Sequence, residues 1–446
     1  MQQKNLAIIG AGLVGSLWAV YLARRGYQVK VFDRRPDIRE QKIVQGKSIN
    51  LALSDRGWRG LEGAGVADEI RKVALPMNGR LMHALDGTLT FQPYGKEGQA
   101  IYSVSRGLLN QSLLKCADDN SNVDLVFNYR CLDIDLEANS VHFQDEKTGI
   151  DHYEKFDHIF GTDGAFSAVR SRMTKLDRHD YSQEYLNHGY KELEIPANAD
   201  GTHRMRNDCL HIWPRGEFMM IALPNIDGSF TCTLFIAFEG KNALEHLQNK
   251  QAVIDFFGMH FPDAVPMMPE LTDDFFANPD ASLVMTTCFP WHHLDKVCLL
   301  GDAAHAIVPF YGQGMNAGFE DCTVLNLLMD EHKDDFEKVF SAFSKQRKPA
   351  GDAIRELALR NYIEMRDKTA DEDFLLQKKI EARFSTKYPD KWIPLYAQVT
   401  FTHIPYHEAL KSGDKQQLIM NAVMSRPNIE KEWDSVTVEQ LMLSLL

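Results

Sequence analysis

Three short stretches carry residue types at spacings that suit a phosphate- and sugar-bearing ligand. The longest spans residues 299–321, LLGDAAHAIVPFYGQGMNAGFED, where an apolar run meets Gly301 and Asp302, a proline-broken loop follows, and Gly312, Gln313 and Gly314 open a helical pattern from Met315 onward. A carboxylate at a strand end can accept hydrogen bonds from a sugar hydroxyl, while the free N–H groups and positive dipole end of a helix attract an electron-rich group. One ligand could span both. The second stretch is Gly10-Ala11-Gly12-Leu13-Val14-Gly15, between an apolar strand candidate and a helical pattern with Leu13, Leu17, Val20 and Tyr21 on one face. Gly10 permits the tight turn, Gly12 lets backbone approach a pyrophosphate, and Gly15 lets helix pack on strand. Residues 28–32 supply a second strand ending in Asp33, where a ribose acceptor belongs, followed by Arg34 and Arg35. These arginines could greet a 2′-phosphate, but Asp33 would repel it; Arg35 could equally be solvated. The third stretch is residues 161–170, GTDGAFSAVR, with Asp163, Ser167 and Arg170 at fixed spacing.

The composition excludes other chemistries. A formal charge of -13, from 49 basic and 62 acidic residues, leaves no footprint for nucleic acid. Seven cysteines are scattered without a C-x-x-C pair, which favours reduced thiols over a disulfide frame or zinc site. No Ser-His-Asp arrangement, metal cluster or Walker loop stands out, and His305 in GDAAH reads as a structural residue at the turn. The polar MQQKN start gives no signal peptide, and no apolar run approaches the roughly 20 residues needed to cross a bilayer. A soluble, cytoplasmic protein without a membrane anchor is expected; its oligomeric state is left open.

Around these stretches the chain must supply positioning elements. Residues 79–95, GRLMHALDGTLTFQPYG, alternate like a hairpin broken at Asp86-Gly87, with Arg80 and Tyr94 on opposite arms. By themselves these would be an edge charge and a packed ring. Residues 47–57 form a strand and helix start containing Ala52, a core position by pattern, and Arg106 opens a helix whose dipole it matches poorly, which tilts it toward an anion. From 181 to 240 long strand-like runs predict an antiparallel sheet, with Met219, Ile221 and Leu223 on one face, Phe235 on a facing strand, and Leu210 nearby. Residues 256–290 are mixed and suggest no clear element. From Asp335 the chain is helix-patterned, punctuated by Pro349, Pro394 and Pro405, with Glu364 and Met365 sharing the helix face of Asn361, and Tyr396 in P-L-Y. The glycine motifs at 10–15, 163–170 and 301–316 flank the sheet, so the domain they build is discontinuous.

These motifs resemble those of the single-component FAD-dependent aromatic hydroxylases, which carry GDAAH followed by P-x-x-G-Q-G-x-N and D-G-x-x-S-x-V-R. SINLALS, GRLMH, QPYG, HGYKELEI, HIWP, VPFYGQGMN and NYIEM are similar to members that hydroxylate L-kynurenine. The resemblance implies an α/β fold: a Rossmann-like FAD-binding domain (1–180, with the substrate-side hairpin, and 291–335), an inserted antiparallel β-sheet substrate domain (181–290) and a C-terminal helical region (336–446). It implies FAD, NADPH as co-substrate and molecular oxygen, with oxygen transferred through a flavin hydroperoxide to give 3-hydroxykynurenine in tryptophan catabolism. Gly10, Gly12, Leu13, Val14, Gly15, Asp33, Arg34, Arg35, Ala52, Arg106, Asp163, Asp302, Gly312, Gln313, Gly314, Met315 and Asn316 would face the cofactor. Arg80, Tyr94, Asn361 and Tyr396 would hold the substrate's polar end, with Glu364 and Met365 beside them. Leu210, Met219, Ile221, Leu223, Phe235, Pro309 and Phe310 would wall its ring. No catalytic side chain and no metal is expected. Eukaryotic members end in a hydrophobic membrane anchor that this chain lacks, so a bacterial protein is expected. Two alternatives stay open: a related enzyme acting on another aromatic acid, and a noncatalytic flavin-binding redox module.

Overall fold

The computed structural model describes residues 4–40, 49–95, 98–364 and 371–446. Its first sheet has six strands in the order His292–His293, Val297–Leu299, His158–Gly161, Asn5–Ile9, Gln28–Asp33 and Val123–Phe127. Asn5–Ile9 runs parallel to both its neighbours, pairing Ile9 with Gly161 on one side and Phe32 on the other. A parallel strand is covered on both faces, which is why NLAII is apolar at consecutive rather than alternate positions. Helix Leu13–Arg24 packs on this sheet with every residue from Gly15 to Ala23 buried. The carboxyl ends of Asn5–Ile9, His158–Gly161 and Val297–Leu299 thus deliver the three glycine motifs to one edge, where ligands of open α/β sheets bind.

The second sheet has seven strands, ordered Ala281–Phe289, Asp180–Ile195, Phe230–Ala237, Met219–Pro224, Cys209–Pro214, Gly79–His83 and Leu89–Pro93. Alternation decides its two faces. Met220, Ala222 and Trp213 pack behind the sheet with Val253, Phe257 and Phe275, whereas Met219 and Phe235 pack in front with Phe310, Ile354 and Tyr362. The hairpin at residues 79–93 forms as its pattern predicts, and its strands join this sheet at an edge. The region from 256 to 290, uninformative in sequence, holds the end of helix Lys250–His260, helix Leu271–Ala277 and the outer strand Ala281–Phe289.

The C-terminal region is helical: Phe336–Ile363, Glu372–Lys387, Leu395–Thr400, Tyr406–Met424 and Val436–Leu445 are its main elements. Pro349 does not punctuate it but lies inside Phe336–Ile363. An internal proline forfeits one backbone hydrogen bond and costs about 3 kcal/mol. The buried stripe of Phe340, Phe343, Ala350, Ile354 and Leu357 outweighs that loss. Among the described residues no helix is long and apolar enough to cross a membrane.

Candidate active site

The glycine turn after Asn5–Ile9 is fixed by contact. Gly10 has φ +107°, and a Cβ there would lie 2.6 Å from the Thr162 carbonyl oxygen; one at Gly15 would lie 1.9 Å from the Gly10 oxygen. A Cβ on Gly12 would meet nothing within 4 Å, so this backbone faces open space. The following helix begins at Leu13 with no side-chain cap and no acid in its first turn, which leaves its N–H groups and dipole for an anionic ligand. Helix Gly314–Glu331 likewise starts uncapped and without a first-turn acid. Gly12, Leu13 and Val14 from the first helix start border the same cavity as Gly312, Gly314 and Met315 from the second, together with Ala52, Arg106 and Asp302. Asp302 is accessible from that cavity; burial in the surrounding protein raises its pKa, and Arg106 acts against the rise. Two uncapped helix starts, an open glycine backbone and a cavity-facing carboxylate fit a dinucleotide that carries both pyrophosphate and polyol, as FAD does.

Beyond these helix starts the cavity, about 290 Å³, is walled by the front of the second sheet. Leu210, Met219, Ile221, Leu223 and Phe235 face Pro309, Phe310 and Tyr311 across it. The period-2 reading of Met219, Ile221 and Leu223 therefore describes a real wall, and Phe235 pairs directly with Met219. At one end the rings of Tyr94, Tyr396 and Tyr311 stack in series, with centroids 5.5 and 5.6 Å apart at 14° and 18°. The Arg80 guanidinium lies 4.5 Å from the Tyr396 ring centroid and 5.3 Å from that of Tyr94. Its Nε and the Tyr94 hydroxyl are buried without hydrogen-bond partners. Arg80 makes no ion pair with a carboxylate among the described residues, so the cavity ends in an uncompensated cation framed by aromatic rings.

Several expected residues stand elsewhere. Asp33 is no free ribose acceptor: its carboxylate takes the Ala11 N–H at 2.9 Å and a fork from Arg35 at 3.0 and 2.9 Å. Burial would raise its pKa, but Arg35 outweighs burial and lowers it. Arg35 is thereby paired although its side chain stays exposed, and Arg34 is exposed as well. Asp163 uses one oxygen to accept the Ala168 and Val169 N–H groups at the start of a short helix, and its Oδ1 is buried without a partner. Arg170, in the first turn of that helix, donates to the Ala303 carbonyl at 2.9 Å and so ties this motif to the GDAAH turn.

Gln313 and Asn316 turn their side chains inward. Gln313 accepts from the Tyr406 hydroxyl at 2.9 Å, and Asn316 donates to the carbonyls of Ala52 and Gly312 at 2.8 Å each. Both position the turn instead of bordering the cavity. Asn361 donates to the Phe310 carbonyl at 2.6 Å and supports the wall from behind. Glu364 lies near Tyr311 but is not part of the cavity lining, and Met365 lies outside the described residues. His305 hydrogen-bonds Asp321 at 2.6 Å within the core, in keeping with a structural role. Sequence reasoning missed Tyr311 as a site residue, although it sits inside VPFYGQG between two residues that were recognised. It also missed Thr162, which lines the cavity and donates to the carbonyls of Ile9 and Gly10 at 2.9 and 2.8 Å.

Comparison with known proteins agrees with this geometry. The FAD binding domain family matches residues 3–356. A "Kynurenine 3-monooxygenase" of Flavobacterium johnsoniae is 53% identical over 442 residues, covering 99% of this chain and 98% of that protein. One of Dictyostelium discoideum is 45% identical, again over 99% of this chain and 98% of its own. Among solved structures, tetrameric 2-methyl-3-hydroxypyridine-5-carboxylic acid oxygenase superposes with a TM-score of 0.68 at 19% identity, over 83% of this chain and 94% of that one, and so shares the fold. The chain belongs to the kynurenine 3-monooxygenase family of FAD-dependent monooxygenases.

Proposed function

We propose that this chain hydroxylates L-kynurenine at ring position 3, with FAD as cofactor and NADPH and molecular oxygen as co-substrates. The observation that carries the reading is a cavity in which two uncapped helix starts, an apolar sheet face and Arg80, which has no carboxylate partner among the described residues, meet. Bound FAD supplies the redox chemistry, taking two electrons from NADPH and activating oxygen for transfer to the ring. The chain supplies the rest. Arg80 binds the α-carboxylate through its planar fork, and the rings of Tyr94 and Tyr396 hold that fork in one orientation. With the carboxylate fixed, the aromatic ring reaches the apolar compartment between Met219, Phe235 and Phe310. There the carbon ortho to the ring amine, enriched by nitrogen donation, is the nucleophile that accepts oxygen. Pro309, Phe310 and the sheet wall keep water from the reaction space. The backbone N–H groups at the start of Gly314–Glu331 would hold the electron-rich part of bound FAD and would stabilise negative charge there. The seven cysteines are all free thiols, which suits a cytoplasmic setting.

The test is anaerobic reduction of the flavin by NADPH with and without L-kynurenine, followed by mass spectrometry of the aerobic product. Substrate-stimulated reduction and one added oxygen ortho to the amine are expected. Equal reduction rates together with an unmodified substrate would refute the reading and favour a noncatalytic flavin protein.

A further inference from the structure

Five buried polar side chains join the SINLALS motif to the end of the substrate wall, and the reading above uses none of them. Strand Asn50–Leu53 belongs to a three-stranded sheet with Ile101–Ser105 and Ala74–Met77, and Asn50 and Ala52 border the cavity. Asn50 Nδ2 donates to Asn225 Oδ1 at 2.7 Å and lies 3.2 Å from Ser103 Oγ. Asn225 Nδ2 donates to Ser229 Oγ at 3.0 Å and to Thr231 Oγ1 at 3.1 Å. The Thr231 hydroxyl donates back to Asn50 Oδ1 at 3.3 Å, and the Ser103 hydroxyl donates to the Pro224 carbonyl at 2.8 Å. All five side chains are buried, Asn50 being the most exposed at 5%. None of them is charged. The central link does not depend on how the two amides are turned, since with both exchanged an oxygen still meets a nitrogen.

The network stands between the two sides of the cavity. Ser103 pairs opposite Ala52, and Asn50 precedes Ala52 by two residues, so all three side chains leave one face of the three-stranded sheet. Thr231 pairs opposite Leu223 and shares the wall face with it. The Ala52 carbonyl accepts from Asn316 at 2.8 Å, which ties this strand to the helix start at Gly314. The neighbouring contact between the sheets is apolar, with Met77 and Ile101 clustering against Leu223. Apolar contact is non-directional, so it holds two sheets together without fixing how one slides on the other. Hydrogen bonds weaken steeply with angle and distance, and they do fix it. We propose that the link between Asn50 and Asn225 is a positioning device that sets the distance between the substrate wall and the cofactor side of the cavity, and so decides whether activated oxygen reaches the substrate ring.

The inference deepens the hydroxylation reading and rests on it. In the coupled reaction NADPH, a proton, oxygen and the substrate give NADP⁺, water and the hydroxylated ring. One oxygen atom forms the new carbon–oxygen bond, the ring hydrogen leaves as a proton, and the second oxygen atom leaves as water. In the uncoupled reaction NADPH, a proton and oxygen give NADP⁺ and hydrogen peroxide. Both routes draw the same two electrons from NADPH, and only the first also oxidises the ring. Arg80, Leu210 and the wall stand on the seven-stranded sheet, whereas Ala52 and the helix start at Gly314 belong to the cofactor side. Loosening the link therefore leaves each ligand's own contacts in place and changes the distance between the two ligands.

Three flavin-loaded proteins are compared: the parent, Asn225→Leu, and Asn50→Leu/Asn225→Leu/Thr231→Val. The single change strands the polar groups of Asn50 and Thr231 in the core and should lower the melting temperature. The triple change removes those groups as well, while Ser103 keeps Pro224 and Ser229 keeps Asp227. Replacing hydrogen-bonding partners together by apolar groups of similar shape should bring the melting temperature back toward the parent. The dissociation constants of FAD and L-kynurenine should match the parent in the triple variant. Its ratio of hydroxylated product to hydrogen peroxide should nevertheless fall by about tenfold to about a hundredfold, the scale of a misplacement of about 1 Å. Asn225 does not line the cavity, so the same fall in Asn225→Leu cannot come from a lost ligand contact. A ratio that follows the melting temperature and recovers in the triple variant would overturn the proposal, because the network would then be structural only. A triple variant that does not fold, or that binds FAD or L-kynurenine more weakly in proportion to its lost product, would overturn it too. The parent keeps the two readings apart: peroxide alone from the parent refutes hydroxylation and the inference with it, whereas product from the parent and an equal ratio in the variants refutes the link alone.

Discussion

Replacing Arg80 by alanine should weaken L-kynurenine binding far more than it disturbs the fold. The guanidinium sits 4.5 Å from the Tyr396 ring centroid and 5.3 Å from that of Tyr94, with its Nε unpartnered. Unit charges at about 4 Å attract by roughly 4 kcal/mol at an effective dielectric of about 20. Losing one member of a desolvated charge pair costs about 2–5 kcal/mol, or roughly 30-fold to several thousand-fold in the dissociation constant. The empty enzyme should respond differently. Alanine forfeits a cation–π contact worth about 0.5–2 kcal/mol but also removes a buried cation without a counter-charge. These offset each other, so the melting temperature of the flavin-loaded variant should stay within a few degrees of the parent. Arg80→Lys keeps the charge as a point on a shorter fork-less head and should recover only part of the affinity. The assay is titration of L-kynurenine into holoprotein followed by flavin absorbance, with kcat and KM measured beside it. Because the carboxylate is remote from the reacting carbon, KM should rise first, and kcat should fall too where the contact orients the ring. A folded, flavin-loaded Arg80→Ala whose dissociation constant and turnover match the parent would refute the reasoning.

Other substitutions separate folding from cofactor binding. Gly12→Val points into open space and should give a folded protein that purifies without FAD, whereas Gly15→Val drives a side chain into the Gly10 carbonyl and should not yield folded protein; absorbance at the flavin bands and circular dichroism report the two outcomes. Asp302→Ala should lower FAD affinity without lowering the melting temperature of the apoprotein, since its carboxylate faces the cavity. Arg347→Met should destabilise by about 3–5 kcal/mol in denaturant titration, because it strips a buried partner from Glu320 and Asp321. Both carboxyls have pKa values lowered against the effect of burial, Asp321 by His305 and Arg347 and Glu320 by Arg347 and Arg56. Their contribution to stability is therefore complete above the unfolded carboxylate value of about 4 and is lost as pH falls below it through the folded values. Acid unfolding should begin at higher pH in Arg347→Met than in the parent, and coincident acid limbs would count against this network.

What could be read from sequence was whatever depends on local period or local backbone need. The Gly10 turn, the alternation of Met219, Ile221 and Leu223, and the Asp86-Gly87 hairpin are each decided within a few residues, and each stands in the structure. What escaped was the choice of partner. Asp33 has the spacing of a ribose acceptor, but Arg35 two residues later claims its oxygens. Gln313 sits at a cofactor-facing turn, yet its amide answers to Tyr406 from a distant helix. Pro349 reads as a stop because proline's local cost is large, and only the packing of the whole buried stripe shows why the helix continues. Residues 256–290 had no clean period because the helices there bury few positions behind the sheet, Val253 and Phe257 in one and Leu271 and Phe275 in the other, while other apolar residues stay outside.

The C-terminal helices belong to the foundation of the cofactor site, although the FAD binding domain match ends at residue 356. Two guanidinium groups, Arg56 and Arg347, meet two carboxylates, Glu320 and Asp321, in the core beneath the glycine turns. The charges cancel, which a buried cluster requires if it is not to leave an uncompensated ion. Asp321 also accepts the Gly301 N–H at 2.9 Å, so it fixes the backbone one residue before Asp302. Arg56 spends its remaining donors on the carbonyls of Val399, at 2.9 Å, and of Ile404, and its guanidinium lies 4.1 Å from the Tyr406 ring centroid. Tyr406 in turn donates to Gln313 at the start of the cavity-facing helix. The motif in residues 299–321 is therefore held at Gly301 by a charge cluster whose Arg56 also bonds the carbonyls of Val399 and Ile404, and at Gln313 by Tyr406. Tyr396, in the ring stack beside Arg80, lies on helix Leu395–Thr400, whose end supplies one of those carbonyls. One short helix thus carries both a substrate-side ring and a support of the cofactor turn, so the geometry of the two ends of the cavity is set together.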